Sequence, residues 1–142
     1  MISIEKINNN IFEKTLDFLV SVPSIENVDV SILNNACVAM DNGSLVGCIS
    51  YEEFGSVGLI RYFVFKKALD LNDLTLLIDK LKEEAINNSM KEFVCIAENN
   101  QIKELFTSLD FKIIDKSKVY IDEEKIENTI FKQSTFLKKQ LV

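Results

Sequence analysis

The sequence predicts a single α/β domain of the α+β kind, spanning 1–142, built on a mixed and mostly antiparallel sheet. Three observations carry this reading. Two apolar runs within residues 36–50 are joined by Asn42-Gly43, a pair that tolerates the positive φ angles of a tight hairpin turn. The clearest amphipathic helix, residues 69–88, is followed by the continuous apolar run 93–97, which marks one crossover with parallel pairing. The composition, 47% apolar and 27% charged in 142 residues, is that of one ordinary globular domain.

The elements follow in order. Ile2, Ile4 and Lys6 alternate with Ser3 and Glu5, as in a short first strand. Asn8 to Asn10 offer a cap for a helix in which Ile11, Phe12, Leu16, Leu19 and Val20 keep helical spacing, and Pro23 ends it. Residues 24–33 read either as a second short helix or as an irregular loop. Strands are expected at 36–40 and 45–50, then a hairpin at 53–56 leading into the apolar strand 57–65. In the long helix, Leu74, Leu77, Ile78, Leu81 and Ala85 form one apolar stripe, with Asp70 or Asn72 as its cap. Residues 93–97 read as a strand buried on both faces, 101–109 as a helix and 111–114 as a strand. Residues 118–141 read as one or two strands around an acidic turn at 122–127.

Composition excludes several functions. The net charge is −6, histidine is absent and Arg61 is the only arginine, so no broad basic face exists to track the phosphates of a nucleic acid. No apolar run approaches the roughly 20 residues that span a bilayer, and the start lacks the basic-then-apolar order of a secretory signal. Cys37, Cys48 and Cys95 sit in apolar runs with no metal-pair spacing; they are expected to be reduced and buried, in a cytoplasmic protein.

Two segments carry a resemblance to a known family. The first is residues 98–111, with Asn99, Ile102, Phe106, Asp110 and Phe111 at the spaced positions. The second is residues 59–65 followed by the long helix; the element order agrees as well, including Gly47 in the third strand after the hairpin. In element order and in these segments the chain resembles the GNAT family of N-acetyltransferases. The resemblance implies a twisted, mostly antiparallel sheet with helices on both faces, and acetyl-CoA or another acyl-CoA as cofactor. It also implies a small-molecule or protein amine as acceptor, without nucleic acid or membrane as partner, in a monomer or homodimer.

Transferred residue by residue, the resemblance makes Val64, Phe65, Asn72, Asp73, Leu74, Thr75, Asn99 and Phe106 the cofactor-binding positions. The family's glycine-rich turn falls on Leu69, Asn72 and Leu74 in one register and on Asp70, Asp73 and Thr75 in the other; neither contains a glycine. Glycine lets backbone approach phosphate without a Cβ in the way, and Asp70 and Asp73 would repel a pyrophosphate, although both suit the first turn of an empty helix. Lys66 and Lys67 could partly offset that charge. Where the family often has a proton-donating tyrosine, this chain has Phe106, leaving Tyr51, Tyr62, Tyr120 or water as substitutes. Glu52 or Glu53 could act as general base or form a solvated hairpin edge; the family's glutamate position falls near Gly58. Asn99 reads equally as cofactor contact and as helix cap. Lys132, Lys138 and Lys139 read as a solvated strand face. The two functions that follow are an acyl-CoA-dependent transferase and a catalytically silent binding module of the same fold.

Overall fold

The computed structural model of the chain describes residues 2–23, 25, 27–114, 120–121, 124–125 and 135–142. The elements run β1 (Ile2–Lys6), α1 (Phe12–Val20), α2 (Val30–Leu33), β2 (Cys37–Asp41), β3 (Ser44–Phe54), β4 (Val57–Phe65), α3 (Leu71–Asn87), β5 (Glu92–Ala97), α4 (Asn100–Ser108), β6 (Lys112–Ile114), β7 (Tyr120–Ile121), β8 (Glu124–Lys125) and β9 (Thr135–Gln140). Seven strands form one sheet in the order β1-β2-β3-β4-β5-β9-β6, and β7 and β8 pair with each other. Only β4 and β5 pair in parallel within the large sheet; its other pairings are antiparallel. Helix α3 supplies the crossover between β4 and β5.

Local chemistry accounts for most boundaries. Asn42 at φ 50° and Gly43 at φ 86° make the β2–β3 turn, the left-handed pair that matches the twist of the flanking strands. The Asn8 carboxamide accepts from the backbone amides of Asn10 and Ile11, so the cap precedes α1 by one turn, and Val20 at its end is 65% exposed rather than packed. The ambiguous stretch before β2 contains the single turn α2, started by Asp29, whose side chain accepts from Ser31 N–H at 2.9 Å. Asp70 caps α3 and Asn99 caps α4 in the same way, at 2.8 and 2.9 Å. The expected acidic turn at 122–127 and Lys132 lie wholly or mainly outside the described residues.

Away from the bulges, strand residues alternate between the two faces by the period-two rule. Cys37, Ile49, Tyr51, Phe93 and Cys95 pack beneath α3 and α4 together with Leu74, Leu77, Ile78, Leu81, Ala85 and Phe106. Val38, Met40, Cys48 and Tyr62 face the other way, against Phe18 and Leu19 of α1 and Ile32 and Leu33 of α2. Helices therefore cover both faces, as the resemblance implied. Lys138 and Lys139, expected to be a solvated face, are each held: Lys138 pairs with Glu92 at 3.0 Å, and Lys139 donates to the Leu109 carbonyl at the end of α4.

Two measurements test this packing. Leu81 is fully buried, and Leu81→Ala should lower the unfolding free energy by about 2–5 kcal/mol in chemical denaturation. Burial raises the thiols of Cys37, Cys48 and Cys95 to about 12. A thiol reagent at pH 8 should therefore label the native protein far more slowly than the unfolded chain.

Candidate functional site

The sheet opens between its two central strands. The parallel ladder of β4 with β5 joins Val57, Gly58 and Leu59 to Glu92, Phe93 and Val94, and goes no further. Both strands continue, β4 paired to β3 up to Phe65 and β5 paired to β9 up to Ala97. The two halves of the sheet therefore part in a V whose apex is held by the Lys91 amide donating to Ser56 O at 2.7 Å. Between them lies a cleft of ≈ 210 Å³, bordered by Ile60 to Phe63 on one side and by Cys95, Ile96, Glu98 and Asn99 on the other, with Ile102 and Phe106 of α4 above it. Backbone groups along the parted edges have lost their ladder partners, so the cleft is lined by main-chain donors and acceptors as well as side chains. Larger hollows, of ≈ 580 Å³ beside β6 and ≈ 510 Å³ beside α1, lie away from this gap and border no parted strands.

A bulge in β4 sets the shape of the cleft. Opposite β3, Cys48 faces Val64 and Ser50 faces Arg61, so three steps on β4 match two on β3. Tyr62 takes φ 54° at this point, a left-handed conformation that costs an aromatic residue roughly 1–3 kcal/mol. Its surroundings hold it there. The phenol oxygen accepts from the Asp29 amide at 2.7 Å, the backbone carbonyl accepts from the Cys48 thiol at 3.0 Å, and the ring is buried in the α1/α2 core. The extra residue shifts the parity of the strand: Ile60 and Phe63, three apart, both join the α3/α4 core.

The turn from β4 into α3 is the second part of the site. The Asp70 carboxylate accepts from Asp73 N–H, and the Asp70 carbonyl accepts from Leu74 N–H at 3.1 Å. Among the described residues, the Leu71 and Asn72 amides donate to no protein acceptor, so two open donors remain at this helix start. Neither upstream lysine serves the turn. Lys67 pairs with Asp41 on the β2–β3 hairpin, and the Lys66 ammonium lies 5.1 Å from the centre of the Phe18 ring on α1.

The positions taken from the resemblance separate into groups. Phe106 and Asn99 border the cleft, Phe106 being almost wholly buried with ring centroids 5.1 Å from Phe63 and 5.0 Å from Phe111. Asn99 is the cap of α4. Val64 and Phe65 end β4 beyond the bulge, and Phe65 lies across Gly47, where a Cβ would meet its ring at 2.1 Å. Asn72 and Asp73 stand in the first turn of α3, Thr75 donates to the Leu71 carbonyl on its exposed side, and Leu74 points into the core.

The candidate acids and bases fall mostly outside the cleft. Tyr51 is buried, accepts from the Asn88 side chain at 2.9 Å, and has its ionisation pushed up by burial. The side chain of Tyr120 lies outside the described residues. Glu52 is engaged by Arg61. At Gly58 a Cβ would meet Phe93 at 3.0 Å and Tyr51 at 3.1 Å, so a side chain there would press on both rings, and the chain carries no carboxylate at this position. Glu98 and Arg61 border the cleft, and the sequence reading gave neither a role. The available signal was position: Glu98 follows the carboxyl end of the parallel strand β5, where ligands bind in open α/β sheets.

No protein-family model matches the sequence, and no curated protein matches it. Solved structures do match the fold. The chain is similar to N-acetylglutamate synthase from Neisseria gonorrhoeae, solved with coenzyme A and N-acetyl-glutamate, with a TM-score of 0.75 at 14% identity over 100% of this chain and 35% of that one. The chain thus spans about a third of the synthase. An acetyltransferase of the GNAT family from Staphylococcus aureus Mu50 matches with a TM-score of 0.69 at 17% identity, over 100% of both chains. Aminoglycoside 6'-acetyltransferase type Ii matches with 0.68 at 19% identity, over 100% of this chain and 97% of that one. The fold is that of the GNAT acetyltransferases.

The capping geometry at the turn yields a stability test. Asp70→Ala should cost about 0.5–2 kcal/mol in denaturant unfolding, whereas Asp70→Asn, which keeps an accepting oxygen, should cost little.

Proposed function

We propose that this protein is an acyl-CoA-dependent N-acyltransferase that passes an acetyl or other acyl group to an amine. The parted β4–β5 pair supports this most. Strand edges without ladder partners need hydrogen-bonding partners, and the arm of coenzyme A carries two amide groups that can stand in for a missing strand. The cofactor would supply an activated acyl thioester. The chain would supply position, with the open edge of β4 holding the arm, Phe63 and Phe106 giving it an apolar wall, and the Leu71 and Asn72 amides meeting the pyrophosphate end. Solved structures of this fold contain coenzyme A. We assign Glu98 as the group that takes a proton from the acceptor ammonium, because it is exposed at the cleft border and forms no ion pair among the described residues.

The fit is unequal along the cofactor. Its arm would meet open strand edges in the cleft, but its pyrophosphate would meet the Asp70 carboxylate, which already occupies a helix-start donor, and Asp73 nearby. This supports a second reading, a binding module of the same fold without catalysis. The tyrosine hydroxyls with described partners support it too, since Tyr51 is bound to Asn88 and Tyr62 to the Asp29 amide.

Calorimetry with acetyl-CoA distinguishes the two. The acyltransferase reading expects weak but measurable binding, in the high-micromolar range, below about 6 kcal/mol of binding free energy. It also expects Asp70→Asn to tighten that binding, since the change removes charge and keeps the cap. If neither the natural chain nor Asp70→Asn binds acetyl-CoA, the silent-module reading stands.

A further inference from the structure

We infer that the α1/α2-side mouth of the cleft selects an amine that also carries a carboxylate, such as a small α-amino acid, with Arg61 reading the carboxylate. The fate of that amine as acyl acceptor rests on the acyltransferase reading; its recognition rests on the geometry of Arg61.

Facing follows from the strands. The Ser50 hydroxyl donates to the Ile32 carbonyl of α2, so Ser50, and with it Glu52 two residues on, faces the α1/α2 side. Arg61 pairs with Glu52 through Nη1 and lies 5.5 Å from the centre of the Tyr62 ring, so its guanidinium is on that side too. The bulge brings it to the cleft border. A plain cross-strand ion pair would be the ordinary explanation of such an arginine, and an exposed pair contributes little to stability. Three features go beyond that.

First, a guanidinium has five N–H donors, and Glu52 engages one nitrogen of a side chain that is still 40% exposed. The fork can therefore accept a carboxylate. Second, the ring beneath it and the pairing to Glu52 fix its direction, so little freedom is lost on binding. Third, the surroundings are acidic. Glu52 touches Arg61, Glu98 borders the same cleft, and Asp29, held ionised by its hydrogen bonds to Ser31, feels the Arg61 charge. Such a field draws in an ammonium and disfavours a simple anion. A molecule with both charges satisfies both halves.

The test compares matched ligands on the full chain. Glycine and L-alanine are titrated beside methylamine and ethylamine, which differ from them by the carboxylate. The single arginine of the chain gives one guanidinium Nε–H signal in NMR, which reports contact directly. The proposal expects each amino acid to bind at least tenfold more tightly than its amine and to shift that signal. Arg61→Gln should abolish the difference, and Arg61→Lys should restore only part of it. Equal binding within the pairs, no binding by either, or a preference that survives Arg61→Gln would overturn it. If Arg61→Gln does not fold, the matched pairs on the natural chain and on Arg61→Lys decide. An amino-acid preference without acetyl-CoA binding would sink the acyltransferase reading and leave the recognition intact.

Discussion

One extra residue in β4 governs the middle of this molecule. A strand in regular register with β3 would carry its side-chain alternation unbroken from Val57 to Phe65. The bulge at Arg61 and Tyr62 breaks that alternation, so that Ile60 and Phe63 share the α3/α4 face while Arg61 stands toward α1 and α2. It also adds local twist, and the parallel ladder to β5 stops two residues before it. The left-handed Tyr62 is unfavourable by itself. It persists because a buried ring, the Asp29 amide and the Cys48 thiol all constrain it. Strain of this kind, held by surrounding structure, clusters where a protein binds something.

The opening has consequences on both sides of the sheet. On one side, α4 leans over the gap and places Phe106 against Phe63, closing the apolar wall with a chain of edge-on rings that runs from Phe65 to Phe111. On the other side no helix spans the gap among the described residues, and the charged groups Arg61 and Glu98 border it, with Glu52 paired to Arg61. The cleft therefore has an apolar half and a polar half, joined by open backbone edges. That division suits a ligand whose ends differ in polarity better than one that is uniformly apolar or uniformly charged.

Electrostatics at the start of α3 run against the pattern inside the cleft. The helix start is a natural site for an anion, yet its own Asp70 fills part of that role, and the two lysines nearest in sequence are committed elsewhere. Lys67 ties β4 to the β2–β3 hairpin through Asp41, and Lys66 covers Phe18. The same residues thus stabilise the empty fold and weaken any hold on a phosphate group. The Asp70 hydrogen bond thus serves the fold, while its charge opposes an anion at the same helix start.

Much of the architecture was legible in the residues alone. The Asn42-Gly43 turn, the β4 span, the apolar stripe of α3 and the cap at Asn99 are written in local chemistry, where period, turn type and capping leave few alternatives. Asp70 could be read as a cap of the long helix. What sequence could not show is where the sheet parts. From Leu59 to Phe65 every residue but Arg61 is apolar or aromatic, so the hydrophobic pattern does not register one residue more or fewer on a face, and the bulge leaves no periodic signature. Its position depends on contacts distant in sequence, Asp29 with Tyr62 and Cys48 with the Tyr62 carbonyl. The direction of Lys66 and Lys67 was likewise undecided until α1 and the hairpin offered Phe18 and Asp41. Sequence by itself determined most of the elements, because those follow from local propensity and periodicity, while 24–33 and the strands after 118 stayed open. Tertiary structure alone decided the cleft and its charge, because both arise from side chains that meet only when the two halves of the sheet are held apart.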